Sequence, residues 1–327
     1  MSVTGEGGSP PPVLSADEFV ARLLAVPRHG ESNMLAYYEH RLGAIVREPR
    51  LMLMPLDDHL AHRGDGIFET IKYSSGRLYR LDQHLDRMRR AAESLYLEPP
   101  CSWQELRGLI HDVAAAGREP CGMMRVLLGR GPGGFGVDPA ECPEASLYIA
   151  AYRLTRMPES WYRAGLTGFR TTVPAKQGPF AWIKDVNYLP NALMVREAGE
   201  RGKQVPFSFT EEGFLADSAV AGLCLVDTRG VLLVPVAGTL PSTTICRALE
   251  LLEDRVPHEH RRITEQDIFA ASEVLMLGTG PDCAAIVEYE GQSIGSGEEG
   301  PVCALLRERI HADILANGEP VPSLPQG

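Results

Sequence analysis

The sequence lacks the features of several large classes of protein. Its 327 residues carry a formal net charge of −11, which argues against nucleic acid or an acidic membrane surface as the main partner. No apolar run reaches the roughly 18 residues that a membrane-spanning helix needs. The first residues, MSVTGEGGSPPP, lack the basic region and the apolar core of a signal peptide, so we expect none.

The seven cysteines lack an ordered spacing. Their number is odd, they are scattered between Cys101 and Cys303, and no CxxC pair occurs. We therefore expect neither a disulfide framework nor a zinc site, and we predict a reducing, cytoplasmic location. The nine histidines show no metal-ligand spacing, and HExxH and phosphate-loop motifs are absent. The sequence therefore predicts no metal site.

What the sequence does contain is a mixture of short strands and helices in two parts. Residues 1–14 and 317–327 are rich in glycine and proline, which predicts disordered tails. A polar stretch at 155–160 separates a smaller N-terminal domain, residues 15–155, from a larger C-terminal domain, residues 160–316. The apolar patterning of both parts predicts a mixed α/β (α+β) fold.

One glycine-rich segment has the spacing of a dinucleotide-binding fingerprint. Gly129, Gly131 and Gly134 form G-x-G-x-x-G after a predicted strand. A dinucleotide site needs a helix directly afterwards, because the N-terminus of that helix faces the pyrophosphate. Gly136 and Pro139 follow instead. We therefore reject this interpretation and predict a flexible loop that can border an active site.

The segment FAWIKDVNYLPNALMVREAGERG places Lys184 between an apolar entry and a predicted helix. A lysine that forms a Schiff base must be partly deprotonated near neutral pH, and apolar walls penalise the ammonium form. Phe180, Trp182 and Ile183 are candidate walls. A Schiff-base lysine implies a carbonyl cofactor, most simply pyridoxal 5′-phosphate (PLP). PLP needs a cation and short donors at its phosphate and a carboxylate at its pyridine nitrogen. The alternative is an ordinary surface lysine.

Five blocks, in order along the chain, resemble those of the class IV aminotransferases. This family of PLP enzymes of fold type IV includes branched-chain and D-amino acid aminotransferases and 4-amino-4-deoxychorismate lyases. The blocks are HRGDGIFETIKY, LDQHLDRMRRAAESLYL, IKDVNYLPNALMVREAGERG, GTLPSTTICRALEL and EVLMLGTGPDCAAIV. The resemblance runs from about Met34 to the end. It implies a two-domain D-amino acid aminotransferase-like fold, PLP as the cofactor and a homodimer.

The resemblance also implies roles for individual residues. Lys184 would carry the cofactor as a Schiff base and, once the substrate displaces it, move the proton. Arg87 would hold the phosphate as a charge-assisted donor. Tyr188, one turn after Lys184, would border the cofactor, or it is a packed helix aromatic. The phosphate cup would be completed by Thr243, Thr244 and Thr279.

The chain departs from the family pattern in three places. Asp217 stands where the family has glutamate at the pyridine nitrogen, and Gly222 stands where asparagine is usual. An aspartate does the same electrostatic work but is one methylene shorter; alternatively, Asp217 is a turn or cap residue. Phe68 replaces the tyrosine of bacterial D-amino acid aminotransferases, and their R-x-H loop motif is absent. Phe68 and Arg130 are candidate substrate contacts, although Arg130 alternatively fixes only its loop.

Three functions remain open on the sequence alone. The leading hypothesis is an aminotransferase that moves an amino group between an α-amino acid, branched-chain-like or other, and a 2-oxo acid, because the lysine, arginine and threonine set is complete. The second is a 4-amino-4-deoxychorismate lyase that gives pyruvate and 4-aminobenzoate, which the loop RGPGGFG favours. The third is a PLP-binding protein without catalysis, for which Asp217, Gly222 and Ser242 would be the signs of decay.

Overall fold

Two β-sheets, each covered by helices, divide the chain. The structure is a computed structural model that describes residues 10–322 and 324. In the first part the helices are α1 (Ala16–Ala25), α2 (His59–His62), α3 (Leu81–Ser94) and α4 (Trp103–Gly117). The strands of this part are β1 (Met34–Glu39), β2 (Ala44–Val46), β3 (Gly66–Ser74), β4 (Arg77–Leu78), β5 (Gly122–Gly129) and β6 (Ser146–Tyr152).

The second part contains five helices and most of the remaining strands. The helices are α5 (Glu159–Ala164), α6 (Leu189–Arg201), α7 (Thr243–Leu252), α8 (Glu265–Ala270) and α9 (Pro301–Asn317). The strands are β7 (Leu166–Arg170), β8 (Val205–Phe207), β9 (Gly222–Val226), β10 (Leu232–Pro235), β11 (His258–Arg261), β12 (Glu273–Gly278), β13 (Asp282–Tyr289) and β14 (Gln292–Ser293). A last strand, β15 (Glu319–Pro320), returns to the first part.

The first sheet is antiparallel, with the strand order β15-β4-β3-β5-β6-β1-β2. Helices α3 and α4 cover one of its faces, where Leu85 and Leu106 join the core. Because side chains alternate along a strand, Ile67 and Ile71 of β3 face this core, whereas Phe68 faces the opposite side and lines a cavity. The alternation of β3 therefore builds a core on one face and a site on the other.

The second sheet is mixed, with the strand order β11-β10-β9-β12-β13-β7-β8. Its central strand β12 is buried along its whole length. Val274 and Met276 belong to the core on one face, and Leu275 and Leu277 belong to the core on the other face, beneath α7 and α9. This double burial explains why EVLMLG is a continuous apolar run rather than an alternating one.

The two parts are joined by backbone and side-chain contacts. The amide of Phe68 on β3 donates to the carbonyl of Lys184 at 2.9 Å, and the amide of Val186 donates to the carbonyl of Gly66 at 3.1 Å. The buried ammonium of Lys72 pairs with Asp282 at the start of β13. These contacts fix Lys184 against the first sheet, although it precedes a helix of the second part.

The prediction of a disordered tail at residues 317–327 is wrong for its described portion. Strand β15 pairs with β4 in the first sheet. His111 Nε2 of α4 lies 2.8 Å from Glu319 Oε1, and Arg107 of the same helix also pairs with Glu319. Val321 is 1% exposed in the first core. Ion pairs and apolar burial thus order a segment whose composition predicts disorder, while residues 323 and 325–327 lie outside the described residues.

The prediction of a mixed α/β fold is confirmed. At the N-terminal end, residues 10–14 form neither helix nor strand, and the rest of the predicted tail, residues 1–9, lies outside the described residues. Across residues 10–322 no helix is both long enough and apolar enough to span a bilayer.

Candidate active site

A cavity of about 400 Å³ lies where the two sheets meet. It is bounded by β3 and β5 of the first sheet and by α7 and the turn after β12 of the second part. The predicted site residues that line it are Phe68, Arg87, Lys184, Tyr188, Asp217, Thr243, Thr244 and Thr279. The remaining predicted residue, Arg130, does not line it.

Lys184 presents its amine to this cavity. Its Nζ donates to the Tyr188 hydroxyl at 3.0 Å and lies 4.5 Å from the centroid of the Phe68 ring. Burial and, after it, the positive charge of Arg87 lower the pKa of Lys184 to about 8. A substantial fraction of the amine is therefore neutral near physiological pH, as a nucleophilic lysine requires.

The apolar walls around Lys184 differ from those predicted. Trp182 is 63% exposed and does not line the cavity, whereas Ile183 does. Phe180 lines the cavity but is 59% exposed. The rings nearest the amine are those of Phe68 and Tyr188, which meet edge to face with centroids 4.9 Å apart. They come from β3 and the start of α6, and their proximity depends on the tertiary fold.

Tyr188 satisfies both alternatives of the sequence analysis. It packs on Phe68, and its hydroxyl also accepts a hydrogen bond from Lys184 at the cavity wall. Burial raises the pKa of Tyr188 to about 12, so the hydroxyl stays protonated and can itself donate.

Arg87 of α3 carries unused donors. Its Nε and Nη2 atoms donate to the two carboxylate oxygens of Glu69, each at 2.7 Å, and its Nη1 donates to the carbonyl of Pro241 at 2.8 Å. A guanidinium has five N–H groups, so two remain for a ligand. The bidentate bond to Glu69 fixes the plane of the guanidinium.

The N-terminus of α7 faces the same cavity. The side chain of Ser242 caps the helix by accepting from the amide of Ile245 at 3.2 Å. Within residues 10–322, the amides of Thr243 and Thr244 make no hydrogen bond. Free amides at the positive end of a helix dipole are a ready-made anion site. Ser242 therefore replaces the family glycine without loss of the helix start.

Two polar residues behind Arg87 were missed by the sequence analysis. Glu69 and His84 are almost completely buried. Burial alone would raise the pKa of Glu69, but the charge of Arg87 outweighs it and lowers that pKa to about 2. Burial lowers the pKa of His84. Only their positions within the first two family blocks could have singled them out, because their separation in sequence gives no sign of contact.

Asp217 also lines the cavity and is not a free surface carboxylate. Its Oδ2 accepts from the amide of Leu240 at 2.8 Å. Burial raises the pKa of Asp217 to about 7. Burial penalises the charged carboxylate unless a cation is adjacent, so the site favours a ligand that brings a positive charge. The second alternative, a turn or cap residue, does not account for this position.

Gly222 has a packing role that explains why the usual asparagine is absent. A Cβ at this position would lie 2.6 Å from Ile245 Cδ1 and 3.7 Å from Asp217 Oδ1. The side chain of Ile245 on α7 therefore occupies the space that a larger residue on β9 would need.

The prediction that Arg130 contacts the substrate is wrong in position. Its guanidinium donates to the carboxylate of Asp65 at 3.0 and 3.2 Å and to the carbonyls of Leu95 and Tyr96 at 3.0 and 2.9 Å. Arg130 therefore fixes the glycine-rich loop, which was the alternative. A short 3-10 helix at Pro139–Glu141 follows the loop, so the rejection of a dinucleotide site is confirmed.

Arg125 is a cavity cation that the sequence analysis missed. It lies on β5, with its guanidinium carbon 4.6 Å from the centroid of the Phe68 ring. The only hydrogen bond of its side chain among the described residues goes to the Tyr152 hydroxyl at 3.4 Å. No carboxylate pairs with it within the described residues. A cation without a protein anion, beside the lysine, can receive a carboxylate from a ligand.

The residues of this cavity fit PLP. Lys184 offers a partly neutral amine to a carbonyl. Arg87 and the free amides of α7 offer donors to a phosphate, and Asp217 offers a buried carboxylate to a protonated ring nitrogen. These three demands are the ones that a PLP site must meet together.

Comparison with known proteins identifies the family. The sequence model described as amino-transferase class IV matches residues 66–289. The chain belongs to this family. Class IV aminotransferases use PLP, so this aminotransferase is an enzyme with PLP as its cofactor. The resemblance in the five sequence blocks is thereby confirmed.

Relatives extend over most of the aminotransferase. The chloroplastic D-amino-acid transaminase of Arabidopsis thaliana is 32% identical over 318 residues, which cover 94% of this chain and 83% of that protein. A branched-chain aminotransferase structure from Escherichia coli has a TM-score of 0.80 at 21% identity, over 85% of this chain and 94% of that one.

A third relative carries a cofactor derivative. This branched-chain aminotransferase, from a T.th. strain and complexed with N-(5′-phosphopyridoxyl)-L-glutamate, has a TM-score of 0.78 at 24% identity. The match covers 86% of this chain and 93% of the other. The predicted two-domain fold of type IV is therefore confirmed.

Proposed function

We propose that this aminotransferase moves an amino group between an α-amino acid and a 2-oxo acid, with Lys184 as its catalytic residue. The observation that carries the proposal is the pKa of Lys184, lowered to about 8 by burial and by Arg87. The amine lies in one cavity with a carboxylate, Asp217, and with the free amides of α7.

When bound, PLP supplies a carbonyl that captures the amino group and a ring that takes up electrons. The protein must then hold each end of the cofactor and move one proton. Arg87 and the amides of Thr243 and Thr244 bind the phosphate, because they are the free donors at one end of the cavity. Thr279, in the turn after β12, lines the same end and adds its hydroxyl.

Lys184 moves the proton. Its neutral Nζ accepts the proton of the substrate α-carbon and returns it in the second part of each half-reaction. The hydroxyl of Tyr188, 3.0 Å from Nζ, orients the amine. Asp217 holds the proton on the ring nitrogen, and that proton in turn keeps the buried carboxylate charged.

Arg125 binds a carboxylate of the substrate in this proposal. It is a cavity cation with no carboxylate partner in the described residues, and it lies over Phe68, whose ring contacts the lysine amine. The aromatic and methionine side chains beside it, Phe68 and Met123, supply an apolar surface for the rest of the substrate.

We further propose that the chain acts as a homodimer in a reducing compartment. The dimer rests on the family, and the compartment rests on seven cysteines that form no disulfide. Because one relative is chloroplastic, an organelle with reducing chemistry satisfies the same requirement as the cytoplasm. Light scattering on the purified protein tests the dimer: we expect twice the mass of one chain, and the mass of a single chain would contradict it.

The decisive experiment follows the visible spectrum of the PLP-loaded protein while single L- and D-amino acids are added. We expect one class of amino acid to convert the cofactor to its pyridoxamine form and a 2-oxo acid to reverse the change. Lys184→Ala should lower turnover at least about 100-fold, since the general base is lost. Lys203→Ala is the matched control, because Lys203 pairs with Glu288 outside the cavity.

The two alternative functions give different results in the same experiment. Release of pyruvate from aminodeoxychorismate without any 2-oxo acid would establish the lyase. PLP binding without exchange of the substrate α-proton would establish a protein that has lost catalysis. Full turnover by Lys184→Ala would overturn the proposed role of Lys184.

A further inference from the structure

A buried polar network lies behind the proposed phosphate contacts. Glu69 on β3 is 1% exposed and His84 on α3 is 2% exposed. His84 Nδ1 lies 2.7 Å from Glu69 Oε2, the same oxygen that accepts from Arg87 Nη2. On its other side, His84 Nε2 lies 3.4 Å from Thr243 Oγ1. The network therefore joins β3, α3 and the first turn of α7.

The geometry determines which atoms of the network carry protons. A carboxylate only accepts hydrogen bonds, so His84 Nδ1 must carry the proton that it shares with Glu69. Burial keeps the imidazole neutral by lowering the pKa of His84, so Nε2 is an acceptor. The hydroxyl of Thr243 is then the donor to Nε2. Its proton is used inside the network, and only the amide of Thr243 remains for an anion.

The network also controls Arg87. Glu69 accepts from two nitrogens of the guanidinium, and the carbonyl of Pro241 accepts from the third. Arg87 therefore has one allowed orientation, in which its two unused N–H groups are available to a ligand. Without Glu69 the same side chain would have several rotamers, and a ligand would have to select one of them.

We propose that Glu69 and His84 are positioning residues that hold Arg87 and the first turn of α7 in the arrangement that binds the PLP phosphate before the cofactor arrives. The proposal rests on the proposed roles of Arg87 and Thr243. Neither Glu69 nor His84 contacts the cofactor in this proposal. They act by removing the cost of ordering the donors, which is how preorganisation increases affinity.

The test compares two ligands that differ only in the phosphate. PLP and pyridoxal are titrated into the cofactor-free protein, and the ratio of their dissociation constants measures what the phosphate contributes. The variants are Glu69→Gln, His84→Phe and His84→Asn. The control is Asp86→Asn, the same exchange of carboxylate for amide at an exposed position of α3.

We expect Glu69→Gln and His84→Phe to weaken PLP binding at least tenfold while pyridoxal binding stays within twofold of the wild type. His84→Asn keeps a donor for Glu69 but cannot reach Thr243, so it should recover part of the loss. Asp86→Asn should bind both ligands as the wild type does. If Glu69→Gln does not fold, the two His84 variants carry the test.

Two results would overturn the positioning role. One is an unchanged preference for PLP over pyridoxal in the Glu69 and His84 variants. The other is an equal loss of both ligands, which would mean that the network only supports the fold. If the wild-type protein itself shows no preference for PLP, the proposed phosphate site is wrong, and that result is separate from the behaviour of the variants.

Discussion

The amine of Lys184 titrates in a range where its protonation can be followed. Burial and then Arg87 lower its pKa to about 8, and only the neutral amine attacks a carbonyl. We therefore expect the rate at which the cofactor-free protein takes up PLP to rise about tenfold per pH unit below the pKa and to level off above about pH 8. Stopped-flow absorbance between about pH 6 and 9.5 measures this profile.

An ordinary lysine amine is the control for that profile. Nα-acetyl-lysine has a pKa of about 10.4, so its reaction with PLP should continue to accelerate above about pH 8. A protein profile that also continues to rise to the upper end of the range would show that the cavity does not lower the pKa of Lys184.

At the residue scale, motifs predicted what topology had to assemble. Lys184, Arg87 and Asp217 lie in recognisable blocks, and they line one cavity. Glu69 and Arg125 were missed, because their functions depend on which face of β3 or β5 each side chain occupies and on what packs there. A single sequence determines neither choice when both faces of a strand are buried.

At the scale of elements, β9 and α7 approach each other closely at Gly222. A Cβ there would lie 2.6 Å from Ile245 Cδ1. We expect Gly222→Ala to lower the free energy of unfolding by about 1–3 kcal/mol, because the added methyl overpacks the contact. Combining it with Ile245→Val, which removes Cδ1, should recover most of that loss. Urea unfolding of the two single variants and the double variant measures the coupling.

Gly199 is the matched position for this prediction. It lies inside α6, and a Cβ there meets nothing within 4 Å. Gly199→Ala should therefore stabilise the protein by about 0.5–1 kcal/mol. If Gly222→Ala were equally stabilising, the packing of α7 against β9 would be looser than the structure has it.

Elements with their own signals were predicted well from the sequence, and those without were not. Ser102 and Glu105 form the capping box that begins α4, and Gly202 ends α6 in the left-handed conformation. These signals are local. Strand β15 has two residues and no periodicity, so it exists only because β4 offers an open edge.

At the scale of the whole molecule, the C-terminal segment contributes to the core of the first part. Val321 is 1% exposed there. Val321→Ala removes two buried carbons at about 0.8 kcal/mol each and leaves a cavity. We expect the free energy of unfolding to fall by about 2 kcal/mol. Denaturant unfolding followed by circular dichroism measures the change.

The control for Val321 is Val137, which is 81% exposed in the loop before the short 3-10 helix. Val137→Ala should change stability by less than about 0.5 kcal/mol. Equal, small effects at the two positions would mean that the C-terminal segment does not pack against the first sheet in solution.

The return of the chain to its first sheet sets an order for its synthesis. Arg77 binds the carbonyl of Gly318, 241 residues later. At roughly 5–20 residues per second, a ribosome needs on the order of ten to fifty seconds to make that interval. Throughout translation, β4 is therefore an unpaired edge that a neighbouring nascent chain can reach. The first sheet acquires its last strand only when the C-terminus is released, after every strand of the second sheet has been made.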